Sequence, residues 1–284
     1  MKKKLNCRFC GSDSYLERAD YKGTTERYKE DMFCYARCGQ CDSLNNLSLS
    51  NPDYGRYTTG TSISKLKVNR LIRLLRNLKV SKNDAILDYG CGNGALVKAM
   101  IRKGYLKSYG YEPFNPDYRA LTFGERFKAI ILTHVFEHIP EYSVFFSNLK
   151  RITTANSLII TIHPSSSRIK RLDSNCPFQT YALHAPFHTV IPSDKATISL
   201  FQQQGYKLKL HYHYDFQRSG FRDNNLVTSL LAQALGGTKE SWLNASKHKK
   251  MKAFISSPIA FLDKMFIHTK DRYSSTFVFE ANSH

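Results

Sequence analysis

A glycine-rich turn between an apolar strand and a helix is the feature that most constrains this chain. Ala85–Tyr89 predicts a short buried strand, glycines follow at positions 90, 92 and 94, and Gly94–Lys103 predicts a helix that stops at Gly104. Glycine permits positive φ and lets a ligand approach the backbone closely. A strand, a turn and a helix in this order predict the first unit of a nucleotide-binding α/β sheet.

Two cofactor classes fit this turn. Gly90, Gly92 and Ala95 satisfy the dinucleotide pattern G-x-G-x-x-G/A, which places a pyrophosphate at the helix amino end. Asp88 lies two residues before the first glycine and would repel a pyrophosphate. S-adenosylmethionine carries an ammonium and a sulfonium, which a carboxylate attracts. The sequence therefore favours S-adenosylmethionine over a nicotinamide cofactor, with Gly94 as a further donor-side glycine.

A second carboxylate follows at the end of the next predicted strand. Glu112 closes the strand Ser108–Glu112, 24 residues after Asp88. In both cofactor classes an acid at this position accepts hydrogen bonds from the ribose hydroxyls. We therefore expect Glu112 to bind the donor ribose.

Strands and helices alternate through the rest of the chain, which predicts a mostly parallel sheet covered on both faces. Ser64–Lys79 predicts an amphipathic helix with one apolar face. The other predicted elements are the strands Phe127–Thr133, Ser157–His163, Tyr206–Tyr214 and Ser275–Ala281, the helix Glu141–Arg151, and a helix capped by Ser193 that ends before Gly205. No apolar run is long enough to span a bilayer, so we expect a cytoplasmic protein.

Cysteines cluster at the start of the chain, where five of the seven fall within the first 41 residues. Cys7 and Cys10 form one C-x-x-C pair, and Cys38 and Cys41 form another. Four thiolates match a structural zinc ion with a closed tetrahedral shell, and Cys34 is a spare thiol that can replace one ligand. Residues 1–50 lack hydrophobic periodicity, so we expect the metal to substitute for a core. The predicted organisation is a zinc module at 1–50, a Tyr/Ser-rich loop and linker helix at 51–80, and a catalytic domain at 81–284.

Several stretches resemble the class I S-adenosylmethionine-dependent methyltransferases. They are Asp88–Gly94, the dipeptide Glu112-Pro113, Thr133–Ile139 and Leu183–Thr189. The resemblance covers residues 81–284 and implies a Rossmann-like, seven-stranded sheet in which Cys91 also lines the donor site. Only fourteen residues separate Glu112 from Phe127, which implies a reduced third strand and leaves Thr122 and Phe123 as candidates for the adenine pocket.

The order of parts is similar to that of a narrower group, the bacterial sugar methyltransferases with an N-terminal four-cysteine zinc module. In that group a Tyr- and Ser-rich loop reaches the methyl donor, which implies that Tyr57 and Ser62 contact it here. The group's large additional C-terminal domain is absent from this sequence, which puts carbon methylation in question. The resemblance implies a sugar or surface-polysaccharide precursor as acceptor, methylated on oxygen or carbon.

Histidines follow the predicted strands where an acceptor would lie. Methyl transfer to a hydroxyl or carbon acid needs a base, and histidine suits proton removal near neutral pH. We expect His134 to lie near the cofactor. For the base, His184 stands narrowly ahead of His138.

The net charge of +19 suits a phosphate-bearing acceptor or, equally, a basic solvated surface. Arg168, Lys170 and Arg171 are candidate phosphate ligands, and Tyr181 and Phe187 are candidate stacking partners for a sugar ring. Peripheral contact of Lys247–Lys264 with an anionic membrane is a further, less favoured interpretation. An RNA methyltransferase and a non-catalytic adapter with a methyltransferase fold are the alternative functions. The sequence after the third predicted strand disfavours methylation of a base amine, and the intact donor residues disfavour an adapter.

Overall fold

The computed structural model describes residues 6–48, 63–120, 124–215 and 273–282, together with Pro52, Tyr54, Ala245, Ser246, His248, Lys249 and Met251. The chain forms two compact units. We call residues 53–163, 197–217 and 275–284 the parallel-sheet unit, and residues 1–52, 164–196 and 218–274 the cysteine unit. Each is described separately.

The parallel-sheet unit is built on a six-stranded sheet. Its strands are β4 (Ile86–Tyr89), β5 (Ser108–Tyr111), β6 (Ala129–Thr133), β7 (Leu158–Pro164), β9 (Tyr206–Tyr212) and β10 (Ser274–Ala281). Their spatial order is β5-β4-β6-β7-β10-β9. The strands β5, β4, β6 and β7 pair in parallel, whereas β9 and β10 pair antiparallel. The predicted mostly parallel α/β sheet is confirmed.

Helices of this unit pack on the sheet with the faces that their periodicity predicts. They include α1 (Lys65–Asn77), α2 (Ala95–Arg102) and α3 (Tyr142–Ile152). The Ser64 hydroxyl accepts a hydrogen bond from the Lys67 amide at 3.2 Å, which caps the first turn of α1. One core cluster joins the apolar faces of α1 and α2 to the strands and includes Leu71, Leu75, Ile86, Met100, Ile131 and Ile160.

The edge of the sheet beside β5 is the place where the short connection predicts a reduced third strand. Among the described residues, the stretch from Glu112 to Phe127 contains turns and no strand. Fourteen residues are too few for a helix, a strand and their connections. Among the described strands, β5 therefore forms this edge of the sheet.

The cysteine unit contains a four-stranded antiparallel sheet, ordered β1-β2-β3-β8. Its strands are β1 (Tyr15–Lys22), β2 (Met32–Cys38), β3 (Leu44–Asn46) and β8 (Val190–Ile191). Residues 1–50 do not form a core from their own side chains alone, because buried side chains from β1 to β3 pack with later residues of the unit. The cluster includes Tyr21, Phe33, Tyr35, Leu44, Ile169, Leu183 and Ile191. The predicted boundary at residue 50 stays a prediction, and the structure adds that residues 164–196 belong to the same unit.

Two further helices follow in the chain, α4 (Pro177–Leu183) and α5 (Asp194–Gln203). The Ser193 hydroxyl accepts a hydrogen bond from the Ala196 amide at 3.1 Å, which confirms the predicted cap of α5. In the part of the chain that the structure describes, no helix is both long and apolar enough to cross a membrane.

Candidate functional site

The glycine-rich turn joins β4 to α2 through three residues in the left-handed region. Gly90, Gly92 and Gly94 have φ values of 80°, 56° and 73°. The Tyr111 carbonyl at the end of β5 accepts hydrogen bonds from the amides of Gly90 and Cys91, at 2.7 Å and 3.1 Å. The turn is thus anchored to the neighbouring strand, at the carboxyl edge of the parallel sheet.

Close packing adds a second requirement for glycine at two of these positions. A β-carbon at position 90 would overlap the Val135 side chain, and one at position 94 would overlap the Tyr118 phenol. The Cys91 thiol lies within the same turn. Burial first, then the charges of Asp88 and Glu112, raises the pKa of this thiol to about 12. Cys91 is therefore a neutral thiol at physiological pH and lines the turn as an apolar group.

Asp88 lies in β4, two residues before the turn, with only 8% of its surface exposed. Burial, and to a lesser extent repulsion from Glu112, raises the pKa of Asp88 to about 7. A buried carboxylate without a nearby cation is unfavourable, so this group is suited to a ligand that brings positive charge. The ammonium and sulfonium of S-adenosylmethionine have that charge.

Glu112 directly follows β5, and its carboxylate is bonded to the glycine-rich turn. Its Oε2 accepts a hydrogen bond from the Gly92 amide, and its Oε1 accepts one from the Phe114 amide, both at 3.2 Å. The Asn115 side-chain amide donates to the Gly92 carbonyl at 2.7 Å. Both peptide groups that flank Gly92 are thus bonded to the loop after β5, which holds the Glu112 carboxylate beside the turn.

His134 follows β6 in a left-handed conformation, with φ of 55°. Its amide donates to the Ile162 carbonyl at 2.7 Å. Its Nδ1 lies 3.4 Å from Glu137 Oε1, and its Nε2 lies 3.5 Å from Asp215 Oδ2. Both carboxylates are buried. Positive φ at a non-glycine residue is common at functional sites. Sequence reasoning missed Asp215, which lies 81 residues away in the chain and carries no local pattern.

His138 ends a single 3-10 turn, Phe136–His138, at the same edge of the sheet. Its Nδ1 lies 3.4 Å from the Tyr54 hydroxyl, and the two rings meet edge to face with centroids 5.7 Å apart. Tyr54 also stacks on Phe114, with centroids 5.4 Å apart. Tyr54 comes from the predicted Tyr/Ser-rich loop, whereas the candidates Tyr57, Ser62, Thr122 and Phe123 lie outside the described residues.

His184 lies in the cysteine unit. It is buried, and its Nδ1 lies 2.6 Å from the Thr24 hydroxyl. In the same unit the Nδ1 of His188 lies 2.7 Å from the Ala182 carbonyl oxygen. Because a carbonyl oxygen only accepts, the His188 ring carries a proton on Nδ1 and donates it to this hydrogen bond. Phe187 is buried against His184 and Tyr28. Within the cysteine unit, these three residues of the Leu183–Thr189 stretch therefore make hydrogen bonds and ring contacts that hold the stretch in place.

The four predicted zinc ligands lie together in the cysteine unit. The sulfurs of Cys7, Cys10, Cys38 and Cys41 all lie within 4.8 Å of one another. The pairs Cys7–Cys41 and Cys10–Cys38 are each separated by 3.6 Å. Four sulfurs at 2.3 Å from a tetrahedral zinc would be about 3.8 Å apart, so the cluster fits this ion. Cys34 lies in β2 and is not among the four clustered cysteines of the described chain.

The three candidate phosphate ligands differ in their surroundings. Arg168 pairs with Asp194 at 2.9 Å. Lys170 and Arg171 are exposed, and their role as phosphate ligands stays a prediction. The Tyr181 side chain and most of Lys247–Lys264 lie outside the described residues, so the sugar-stacking and membrane interpretations of these positions stay predictions.

Comparison with known proteins gives one family match. A family model described as a methyltransferase domain matches residues 64–211, just over half of the chain. No curated protein sequence matches. Among solved structures, coclaurine N-methyltransferase bound to N-methylheliamine and S-adenosylhomocysteine is 15% identical, with a TM-score of 0.42 over 79% of this chain and 75% of that one. Phosphoethanolamine N-methyltransferase 2 of Haemonchus contortus is 13% identical, with a TM-score of 0.48 over 76% of this chain and 53% of that one.

Proposed function

The chain belongs to the methyltransferase-domain family and is an S-adenosylmethionine-dependent methyltransferase, and we propose that its acceptor is a sugar or a surface-polysaccharide precursor. The donor is held by residues of the glycine-rich turn and the strand end beside it. The acceptor presents an oxygen or a carbon to the methyl group. The buried Asp88 carboxylate next to the bonded pair Glu112 and Gly92 is the observation that carries the donor assignment.

Charge assigns the two acids their roles. Asp88 has a raised pKa because it is buried near another acid, so a cationic ligand relieves an existing electrostatic cost. The amino-acid end of the donor carries that cation. Glu112 already accepts hydrogen bonds from two backbone amides, one at each carboxylate oxygen, and each oxygen has a further lone pair for a ribose hydroxyl. Gly90, Cys91 and Gly94 complete the backbone surface against which the donor lies.

We propose His138 as the base, with His184 as the alternative candidate. His138 lies in the turn after β6, at the carboxyl edge of the parallel sheet, where ligands bind in open α/β folds. The His184 imidazole is buried in the cysteine unit with Nδ1 bonded to Thr24. In the proposed step the acceptor oxygen bonds to the methyl carbon, the methyl–sulfur bond breaks, and the acceptor proton passes to His138. S-adenosylhomocysteine leaves as the thioether.

The four-cysteine cluster is proposed to hold one structural zinc ion. Four thiolates close the shell, which leaves no position for a reacting ligand. The ion would fix the segment that carries β1 to β3 and take no part in methyl transfer.

The sugar acceptor rests on two features. The first is a cysteine cluster in front of a methyltransferase domain, with Tyr54 of the Tyr/Ser-rich loop contacting His138. The second is the net charge of +19, which suits an acceptor that carries phosphate. Together they favour a nucleotide-linked or lipid-linked sugar over an uncharged small molecule.

A screen with labelled donor tests the acceptor. Nucleotide sugars, glycan precursors and RNA are each incubated with the protein and methyl-labelled S-adenosylmethionine, and products are read by mass spectrometry. We expect label in a sugar, and none with the Asp88→Ala variant. Label confined to RNA would replace the sugar with a nucleic acid as acceptor. Label confined to small non-sugar compounds would also end the sugar proposal, while donor binding measured by calorimetry would still stand.

A further inference from the structure

Arg37, at the end of β2, is a buried cation that joins separate segments of the cysteine unit. Its guanidinium pairs with Glu17 in β1 at 2.5 Å and with Asp42 at 2.9 Å, and it donates to the Ile169 carbonyl. Only 7% of the Arg37 side chain is exposed. A buried guanidinium is costly unless it is paired and hydrogen-bonded, and these partners are two carboxylates and a carbonyl. Arg37 therefore holds the segment around Ile169 against the first two strands.

The two carboxylate partners of Arg37 bond to the same later segment. The Ser166 hydroxyl donates to the Asp42 carbonyl at 2.6 Å, and the Leu172 amide donates to Glu17 Oε2 at 3.2 Å. Residues 166, 169 and 172 are therefore each bonded to Arg37 or to one of its two acidic partners. We call residues 166–172 the basic segment, because it contains the three candidate phosphate ligands Arg168, Lys170 and Arg171.

Arg37 and Asp42 also flank the second pair of clustered cysteines. Arg37 directly precedes Cys38, and Asp42 directly follows Cys41. The Asp42 amide donates to the Cys38 carbonyl at 3.1 Å, and Asp42 has a φ of 61°, in the left-handed region. Aspartate tolerates this conformation but keeps it only where its surroundings impose it. The direction of the Asp42 side chain therefore depends on the turn that carries two of the four clustered sulfurs.

We propose that the metal site sets the position of the basic segment, with Arg37 and Asp42 as the positioning residues that link the two. The inference rests on the structural zinc ion proposed above. A bound ion fixes Cys38 and Cys41, and the turn between them then holds Asp42 against Arg37 and Ser166. Without the ion the two cysteine pairs lose their cross-link, and this turn loosens. The metal thus determines where the three cations of the basic segment lie.

Hydrogen exchange of the full chain, read by mass spectrometry with and without zinc, tests the link. Removal of zinc from the unchanged protein by a chelator should accelerate exchange in the basic segment about tenfold or more. Arg37→Met keeps all four cysteines, so we expect it to retain one zinc per chain. Its basic segment should already exchange fast with zinc bound, and chelation should change that rate by no more than about twofold. Because coupling is reciprocal, Arg37→Met should also weaken zinc affinity by about tenfold in a chelator competition.

Two further variants complete the experiment. Ser166→Ala removes only the hydrogen bond to the Asp42 carbonyl and should accelerate exchange in the basic segment by a smaller factor than Arg37→Met. Lys29→Gln removes an exposed ion pair with Glu26 in the same unit, 3.2 Å long, and is the matched control. It should respond to zinc removal as the unchanged protein does. If Arg37→Met does not fold, Ser166→Ala decides the outcome alone.

The contrary results separate the link from the metal site. A basic segment that stays protected after zinc removal, confirmed by elemental analysis, would overturn the link and leave the zinc site standing. Full protection of the segment in folded, zinc-bound Arg37→Met and Ser166→Ala would do the same. Equal acceleration in α4 and in the basic segment on chelation would show loss of the whole unit's fold and also overturn the link. An unchanged protein that binds no zinc even after reconstitution would refute the metal site, and the link with it.

Discussion

The Glu112 carboxylate accepts a hydrogen bond from the Gly92 amide at 3.2 Å, across the boundary between two parallel strands. The acid that follows β5 and the glycine-rich turn that follows β4 are therefore joined before any ligand binds. Oε2 accepts the hydrogen bond from the turn, and Oε1 accepts one from the Phe114 amide in the loop after β5. Preorganisation of this kind reduces the ordering that ligand binding would otherwise require.

Replacements of Glu112 should separate its hydrogen bond to the Gly92 amide from its proposed binding of the donor ribose. Glu112→Gln keeps an oxygen for the Gly92 amide but removes the charge, and we expect S-adenosylhomocysteine affinity to fall about tenfold. Glu112→Ala also frees the turn, and we expect a loss of about 100-fold. Calorimetry measures both. Asp117→Ala, an exposed acid in the same loop, is the control. Equal affinities for Glu112→Ala and the control would contradict the ribose assignment.

Donor binding should depend on pH through Asp88. The pKa of this carboxyl is about 7 in the free protein, and a bound cation lowers it. Affinity for S-adenosylhomocysteine, which keeps the ammonium near neutral pH, should therefore be highest near pH 8 and fall as the pH drops below 7. Proton uptake measured in buffers of different ionisation enthalpy checks the linkage. A pH-independent affinity in the unchanged protein would show that Asp88 does not face the ligand.

The same carboxyl should lower stability in the absence of donor. Its pKa is raised above the unfolded value of 3.8, so its favourable contribution is complete below pH 4 and is lost as the pH rises through 7. At pH 8 we expect Asp88→Asn to raise the melting temperature of the ligand-free protein by a few degrees, while donor affinity falls. Calorimetric melting of the two proteins at pH 4.5 and 8 provides the comparison. A melting temperature lowered at pH 8 would count against the burial argument.

Glycine at position 90 is required by conformation and by packing. Gly90→Ala places a side chain at φ of 80° and against Val135, whereas Gly104→Ala meets only the flexible Lys82 side chain at φ of 88°. The left-handed conformation costs each variant about 1–2 kcal/mol. We expect Gly90→Ala to lose more stability than Gly104→Ala and to lose donor affinity as well. Chemical unfolding and calorimetry measure the two effects, and equal behaviour of the two variants would argue against a close approach at Gly90.

Metal content should depend on the clustered cysteines alone. Cys38→Ser removes one of four ligands, so we expect less than one zinc per chain and faster hydrogen exchange in β1 to β3. Cys34→Ser leaves the cluster intact and should retain one zinc. Elemental analysis of reduced protein measures the content. Donor affinity of Cys38→Ser should stay within a few-fold of the unchanged protein, and loss of zinc from Cys34→Ser instead would reassign the fourth ligand.

Local patterns predicted the parts of the site that are encoded within a few residues. Asp88, the three glycines and Glu112 follow from a strand, a turn and a strand end, and the structure brings them together. The four cysteines follow from two C-x-x-C pairs. Their ligand roles remain predictions.

Contacts between distant parts of the chain could not be predicted in this way. Asp215 beside His134 and Tyr54 beside His138 depend on how β9 and the segment before α1 return to the sheet edge. Tyr118 packs against Gly110, and no local pattern in the sequence joins these two positions. The contact of His184 with Thr24 is of the same kind, because these two residues of the cysteine unit are 160 positions apart in the chain.

The pairing of β3 with β8 has a consequence for synthesis of the chain. Leu44 pairs with Ile191, and Asn45 pairs with Val190, so the cysteine unit needs residues translated almost 150 positions after its first strands. During synthesis on the ribosome, the amino-terminal sheet therefore stays incomplete until the residues of β8 have emerged. Metal loading at the two C-x-x-C pairs depends only on early residues. An ion captured there would hold β1 to β3 in register until β8 arrives.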